Sequence, residues 1–273
     1  MTIPVPHVRR SGSGPVVVCL HSNASTGGQW RTLAERLADR FTVLAVDGLG
    51  AGRSPGWPQA PADGLAAELA LLQPVLEEAG DGIHLVGHSY GGAVALKAAA
   101  LLGSRVRSVA VYEPTMFWLL GDPRRCEPSV QGIRDAVSAS LEALARDDED
   151  AAARSFIDFW MGAGSWDATP EARRAPIARS VRDVGRWAHA LFSDGLSRAD
   201  LAALDVPVLV MVGGRSPSSG RAPAAEILAA VPRGERMDFE GLGHMGPLTH
   251  PGVVDAAIEA FLVRGGAGLS ARG

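Results

Sequence analysis

The chain has 273 residues, 47% of them apolar and 21% charged, and a formal net charge of −4. That balance excludes global disorder and leaves no basic excess to neutralise phosphates, so no nucleic-acid partner is expected. Two cysteines, Cys19 and Cys126, cannot build a disulfide scaffold or a four-thiolate zinc site. No apolar stretch has the length of a membrane span, and the N-terminal segment shows no apolar run before a cleavage site. A cytoplasmic protein with no membrane partner is expected.

Along the chain, short β-branched runs alternate with Ala- and Leu-rich stretches of helical length. Strands are predicted at residues 5–10 (the weakest), 16–20, 42–46, 83–86, 106–112, 206–212 and 235–240. Helices are predicted at 30–39, 63–79, 90–102, 222–230 and 251–263. The central runs are continuously apolar, so they read as strands buried on both faces. Alternation of this kind predicts an α/β fold, a mostly parallel doubly wound sheet.

The alternation breaks once. Residues 114–205 show helical periodicity, no convincing strand, and aromatics that include Trp118, Phe156, Trp160, Trp166, Trp187 and Phe192. A segment of that length is too long for a bare loop. It reads as a helical cap inserted after the strand that ends at Glu113. The expected organisation is therefore a core of residues 1–113 and 206–264, a cap of 114–205 and a flexible tail of 265–273. The acidic run Asp147-Asp148-Glu149-Asp150 reads as a solvated turn; it lacks the glycine and the spacing of a calcium loop.

The strongest chemical signal is Gly87-His88-Ser89-Tyr90-Gly91. It fits G-x-S-x-G and lies between an apolar strand and an apolar helix, the context that motif requires. A serine on so sharp a turn needs small neighbours two residues to either side. Its oxygen would then stand at a helix N-terminus, where negative charge is favoured. A nucleophilic serine needs a base. Among seven histidines, His244 lies in a glycine-rich loop, Gly241-Leu242-Gly243-His244, after the last predicted strand. His84 and His88 read as core histidines, and His250 as a residue at the start of the final helix.

With these residues in view, the chain resembles the α/β-hydrolase superfamily along almost its whole length. Further points of likeness are His21-Ser22-Asn23 after the first strong strand, Trp30 beyond it, and Asp47-Gly48-Leu49-Gly50-Ala51-Gly52-Arg53-Ser54. The last run is no dinucleotide fingerprint, because it follows a strand but opens no helix. It reads as structural turns. The resemblance implies an oxyanion hole from the backbone N–H groups of Tyr90 and Asn23. Ser22 stands where the family usually has glycine, so its hydroxyl is a candidate pocket group.

The family's usual acid is an aspartate after the penultimate strand, and here that position is Ser216. Some members carry the acid one strand earlier, which points to Glu113; the alternative is a Ser-His dyad. The resemblance thus implies a cofactor-independent, metal-free serine hydrolase acting through Ser89, His244 and Glu113. The expected partner is a small, fairly apolar acyl substrate, with Met116 and Trp118 lining its pocket. The alternative is a non-hydrolytic protein of this fold, either a ligand binder or a cofactor-free lyase or oxygenase.

Overall fold

Side chains of a strand alternate between its two faces, and here both faces are covered. Val18 and Leu20 join one apolar cluster while Val17 and Cys19 join another. The computed structural model describes residues 4–58, 64–121 and 128–267. Its first half runs β1 (Val8–Ser11), β2 (Val16–Leu20), α1 (Arg31–Leu37), β3 (Thr42–Val46), α2 (Ala66–Ala79), β4 (Ile83–His88), α3 (Tyr90–Leu102) and β5 (Val106–Tyr112). Six helices follow: α4 (Pro128–Leu144), α5 (Glu149–Met161), α6 (Ser165–Ala168), α7 (Glu171–Val181), α8 (Val184–Ser193) and α9 (Arg198–Ala202). The chain then returns through β6 (Val208–Gly213), α10 (Ser218–Ala230), β7 (Gly234–Phe239), α11 (Gly246–Thr249) and α12 (Pro251–Ala267).

The strands form one seven-stranded sheet in the order β1-β3-β2-β4-β5-β6-β7. Among the described strands, only β1 is antiparallel to its neighbour. This is the α/β-hydrolase fold, with a helical insertion between β5 and β6. The polar runs of β1 and β7 sit at the two edges, where one side of the ladder meets solvent. β6 begins at Val208, two residues later than its apolar run suggests, because Pro207 has no N–H to give to the ladder. Its carbonyl accepts from Val109 instead, at 3.0 Å. At the far end α12 continues to Ala267, past the expected start of a flexible tail at 265; the rest of that tail and Cys126 lie outside the described residues.

β3 lies on one side of β2 and β4 on the other. The strand order therefore reverses at β2 and β4, and such a switch point opens a crevice at the carboxyl ends of the strands. His21-Ser22-Asn23 follows β2, and Ser89 follows β4. The adjacent pair β5 and β6 carries Glu113 and the Ser216 loop. Among the described residues, no helix is long and apolar enough to cross a membrane.

The insertion packs on the sheet through the same apolar cluster as α3, which includes Val94, Phe156, Trp187 and Leu191. The expected acidic turn is a helix start: the Asp148 carboxylate caps α5 by accepting from the N–H of Ala151 at 2.9 Å. A buried ion pair helps to anchor the insertion to the core. Asp194, fully buried, accepts from the N–H groups of Leu65 and Leu196, each at 2.9 Å, and pairs with Lys97 of α3. Asp194→Ala would leave a largely buried ammonium and two N–H groups unpaired. It should lower stability by roughly 3 kcal/mol in urea unfolding. A change under about 0.5 kcal/mol would mean that apolar contacts alone hold the insertion.

Candidate active site

Ser89 sits where β4 turns into α3, with φ 54° and ψ −116°, a conformation L-residues rarely adopt. The turn closes only because its neighbours lack side chains. A Cβ on Gly87 would strike the backbone of Gly91 and Gly92, and one on Gly91 would strike the carbonyls of Leu20 and His21. The Ser89 N–H donates to the Tyr112 carbonyl at 2.9 Å, which ties the turn to β5. Tyr90 is the first residue of α3, so its N–H has no partner within the helix.

His244 lies in the loop between β7 and α11, fastened by the Tyr112 hydroxyl, which donates to the Gly243 carbonyl at 2.8 Å. Its Nδ1 is 2.6 Å from Glu113 Oε2 and its Nε2 is 2.9 Å from Ser89 Oγ. An ionised carboxylate only accepts, so Nδ1 carries the proton and Nε2 is left to accept from the serine. The other oxygen of Glu113 accepts from the Gly213 N–H of β6 at 2.7 Å. Glu113 is fully buried and has φ 43°. That left-handed turn at the end of β5 sends its side chain sideways, across β6.

Ser216 is also buried, and its hydroxyl has no hydrogen-bond partner. Sequence reasoning missed Gly220. A Cβ there would press on Glu113 Oε2 and lie 3.3 Å from His244 Nδ1, so α10 must present a glycine where carboxylate and imidazole meet.

The loop after β2 is pinned from several sides. His21 Nδ1 lies 2.7 Å from the Ser22 carbonyl, and its Nε2 accepts from the Gly48 N–H at 2.9 Å. Ser22 donates its N–H and its hydroxyl to Gln29 Oε1, at 3.2 and 3.1 Å. Gln29 Nε2 is 3.1 Å from His88 Nδ1, and His88 Nε2 is 2.8 Å from the His244 carbonyl. A carbonyl only accepts, so Nε2 of His88 is the protonated nitrogen. Burial holds this ring well below the usual histidine range, hence neutral. His88 is a satisfied core histidine whose partner is the backbone of His244.

Asp47 anchors the glycine-rich loop by accepting from Arg9 at 2.6 Å, Gly27 N–H at 2.7 Å and Arg53 N–H at 3.1 Å. Burial alone would raise its carboxyl; the hydrogen bonds outweigh that and hold it below the usual range.

A cavity of about 320 Å³ beside Ser89 is lined by Asn23, Thr115, Phe117, Ile133, Trp160 and Trp187, among others. The expected pocket residues need correcting. Met116 is fully buried in the core, and the indole N–H of Trp118 donates to the Leu196 carbonyl at 2.7 Å. Neither lines this cavity. The chain alternates into the short turn Phe117–Leu120, so Thr115 and Phe117 face the space instead. Ser22 lines the wider open groove that Ser89, Trp160 and His244 share. Trp160 itself lies on the imidazole of His244, its centroid 3.8 Å away and its plane tilted by 23°.

A second cavity, about 440 Å³, holds Glu68, Tyr90, Asn23 and His21. Burial pushes the Glu68 carboxyl from 4.5 up to about 7, although it accepts from the Leu49 N–H.

A sequence profile described as the Alpha/beta hydrolase family matches residues 17–257. Over 263 residues the chain is 29% identical to part of the polyketide synthase ThaQ of Burkholderia thailandensis; the match covers 93% of this chain and 12% of that protein. It is 29% identical over 248 residues to a pimeloyl-(acyl-carrier protein) methyl ester esterase of Chromobacterium violaceum, covering 89% of this chain and 92% of the relative. Among solved structures, MGS-M2, an alpha/beta hydrolase enzyme from a Medee basin deep-sea metagenome library, superposes with a TM-score of 0.79. It is 15% identical and covers 94% of each chain.

Two measurements test this geometry. Gly220→Ala should lengthen the Glu113–His244 contact in a crystal structure and lower any turnover that depends on that contact by about 10²-fold. An unchanged distance and rate would show that the space is not needed. The second concerns Glu68. A carboxyl raised on folding stabilises most below its unfolded pKa and loses that contribution as pH rises through the folded value. The stability of the wild type relative to Glu68→Gln should therefore fall by roughly 3 kcal/mol between pH 4 and pH 8. A flat difference would mean that Glu68 ionises freely.

Proposed function

The chain belongs to the alpha/beta hydrolase family, and from that premise we propose that it is a cofactor-independent serine hydrolase cleaving an ester or related acyl bond. The observation that carries the reading is the buried run of hydrogen bonds from Ser89 through His244 to Glu113. Ser89 Oγ attacks the acyl carbonyl while His244 Nε2 takes its proton. Glu113 holds the imidazole in the tautomer that accepts at Nε2, and its charge stabilises the imidazolium. The N–H groups of Tyr90 and Asn23 receive the oxyanion, at a helix N-terminus where the dipole adds to the effect. His244 returns the proton to the leaving group and then activates the water that frees Ser89.

The substrate we propose is a small, fairly apolar acyl compound. The cavity beside Ser89 supports this, being walled chiefly by Phe, Ile and Trp side chains. That the Chromobacterium relative is a methyl ester esterase favours an ester as the bond class. A carboxylate hydrogen-bonded to His244 Nδ1 supports the hydrolytic reading over a non-hydrolytic one.

A fluorophosphonate probe should label Ser89, read by peptide mass spectrometry. Ser89→Ala should abolish both labelling and turnover, a loss approaching ~10⁶ where the uncatalysed reaction is slow. Glu113→Gln should cost about 10⁴ in turnover. Adding Ser216→Asp to that variant should restore part of the loss, from the neighbouring strand end. Near-native activity in folded Ser89→Ala would sink the reading, and a loss below tenfold in Glu113→Gln would reduce the site to a dyad.

A further inference from the structure

Both nitrogens of the His244 ring have partners. Its nitrogens meet Ser89 and Glu113, and the neutral ring of His88 lies 5.2 Å away at 48°. The remaining large contact comes from the insertion. Trp160 of α5 lies nearly parallel to the imidazole at 3.8 Å. Both rings are buried, Trp160 to 8% exposure and His244 to 2%. The indole is braced in turn. Phe159 meets it edge-on at 4.9 Å, and Phe156 at 6.5 Å, itself packed 5.8 Å from Trp187.

An aromatic face attracts cations, and indole does so best among side chains. Against neutral imidazole this contact supplies dispersion only. Against imidazolium it adds an electrostatic attraction, strengthened because the pair is out of water. His244 becomes imidazolium when it takes the proton of Ser89, so the added attraction appears on the way to the transition state and not before. Contacts of that kind raise kcat instead of merely lowering KM.

We propose that Trp160 is a positioning residue for the base, holding the His244 ring toward Ser89 and favouring its protonated form during acyl transfer. This rests on the serine-hydrolase reading above. It gives the helical insertion a part in the chemistry as well as in substrate choice. The charged or titratable groups that face the ring are few. Glu113 comes from the end of β5, and His88, which burial keeps neutral, from the end of β4. α10 presents Gly220, which has no side chain.

The test follows the rate of fluorophosphonate labelling at Ser89, and of 4-nitrophenyl acetate turnover, against pH. It compares wild type, Trp160→Phe and Trp160→Leu. Loss of the indole removes support for the imidazolium, so the acid limb of the profile should move to lower pH. In Trp160→Leu a shift of about 0.5 to 1 unit is expected, with kcat down roughly tenfold; Trp160→Phe should stay nearer wild type. Biosynthetic replacement of tryptophan by 5-fluorotryptophan weakens the ring's attraction for cations without altering the fold, and should shift the limb the same way. Coincident limbs in wild type, Trp160→Leu and the fluorinated protein, with only KM changed, would overturn the proposal and leave Trp160 a packing residue. Failure of the wild type to label would overturn the hydrolase reading, and this inference with it.

Discussion

A carboxylate removed from water must be met by donors or it will not stay ionised, and Glu113 is met by two. The Gly213 N–H holds one oxygen and His244 Nδ1 the other. Much of the neighbouring architecture follows from this pair. The left-handed backbone at residue 113 turns the side chain across β6. α10 offers no side chain at Gly220, where the carboxylate must pass. The Tyr112 hydroxyl and the His88 ring each hold the backbone of the loop that carries the imidazole. An acid on the neighbouring strand would be nearer to its histidine; from β5 it needs this clearance.

The second organising constraint is the aromatic wall that the insertion sets beside the site. The insertion shares one apolar cluster with the sheet, and Asp194 with Lys97 adds a buried ion pair. Its aromatic side chains divide the work. Trp166 and Trp118 are structural, the one fully buried and the other spending its N–H on a backbone carbonyl. Trp187 and Phe117 wall the cavity, while Trp160 reaches both the cavity and the imidazole. Helices from a different part of the chain thus complete a site whose hydrogen-bonding groups all stand on the sheet's loops.

Which parts could be read from the sequence follows from the kind of signal each leaves. Strands buried on both faces leave continuous apolar runs, so β2 to β6 were visible to within two residues at either end. Ser89 was visible because its strained turn demands small residues at fixed offsets. Glu113 followed from the serine at 216 and a family resemblance, not from any local pattern. Thr115 and Phe117 were mistaken for Met116 and Trp118 because a short irregular turn has no period to say which side faces in. Trp160 was seen as one cap aromatic among several, since helical periodicity shows a buried face but not what lies opposite. The contact between Gln29 and His88 joins residues 59 apart, and Gly220 matters only through the space it leaves. Nothing local marks either one.

Two of the three groups, Ser89 and Glu113, belong to a single β4–α3–β5 unit whose strands pair directly. The third arrives 131 residues after Glu113. Contacts within one such unit close short loops, whereas bringing in a distant loop carries the larger entropic cost and governs how slowly a chain of this topology folds. Ser89 and Glu113 can therefore be brought to their places as soon as the middle of the sheet exists. Docking of the β7–α11 loop is then the long-range closure that turns a folded sheet into a complete site. Until that loop docks, Ser89 and Glu113 stand on neighbouring strand ends with no imidazole between them.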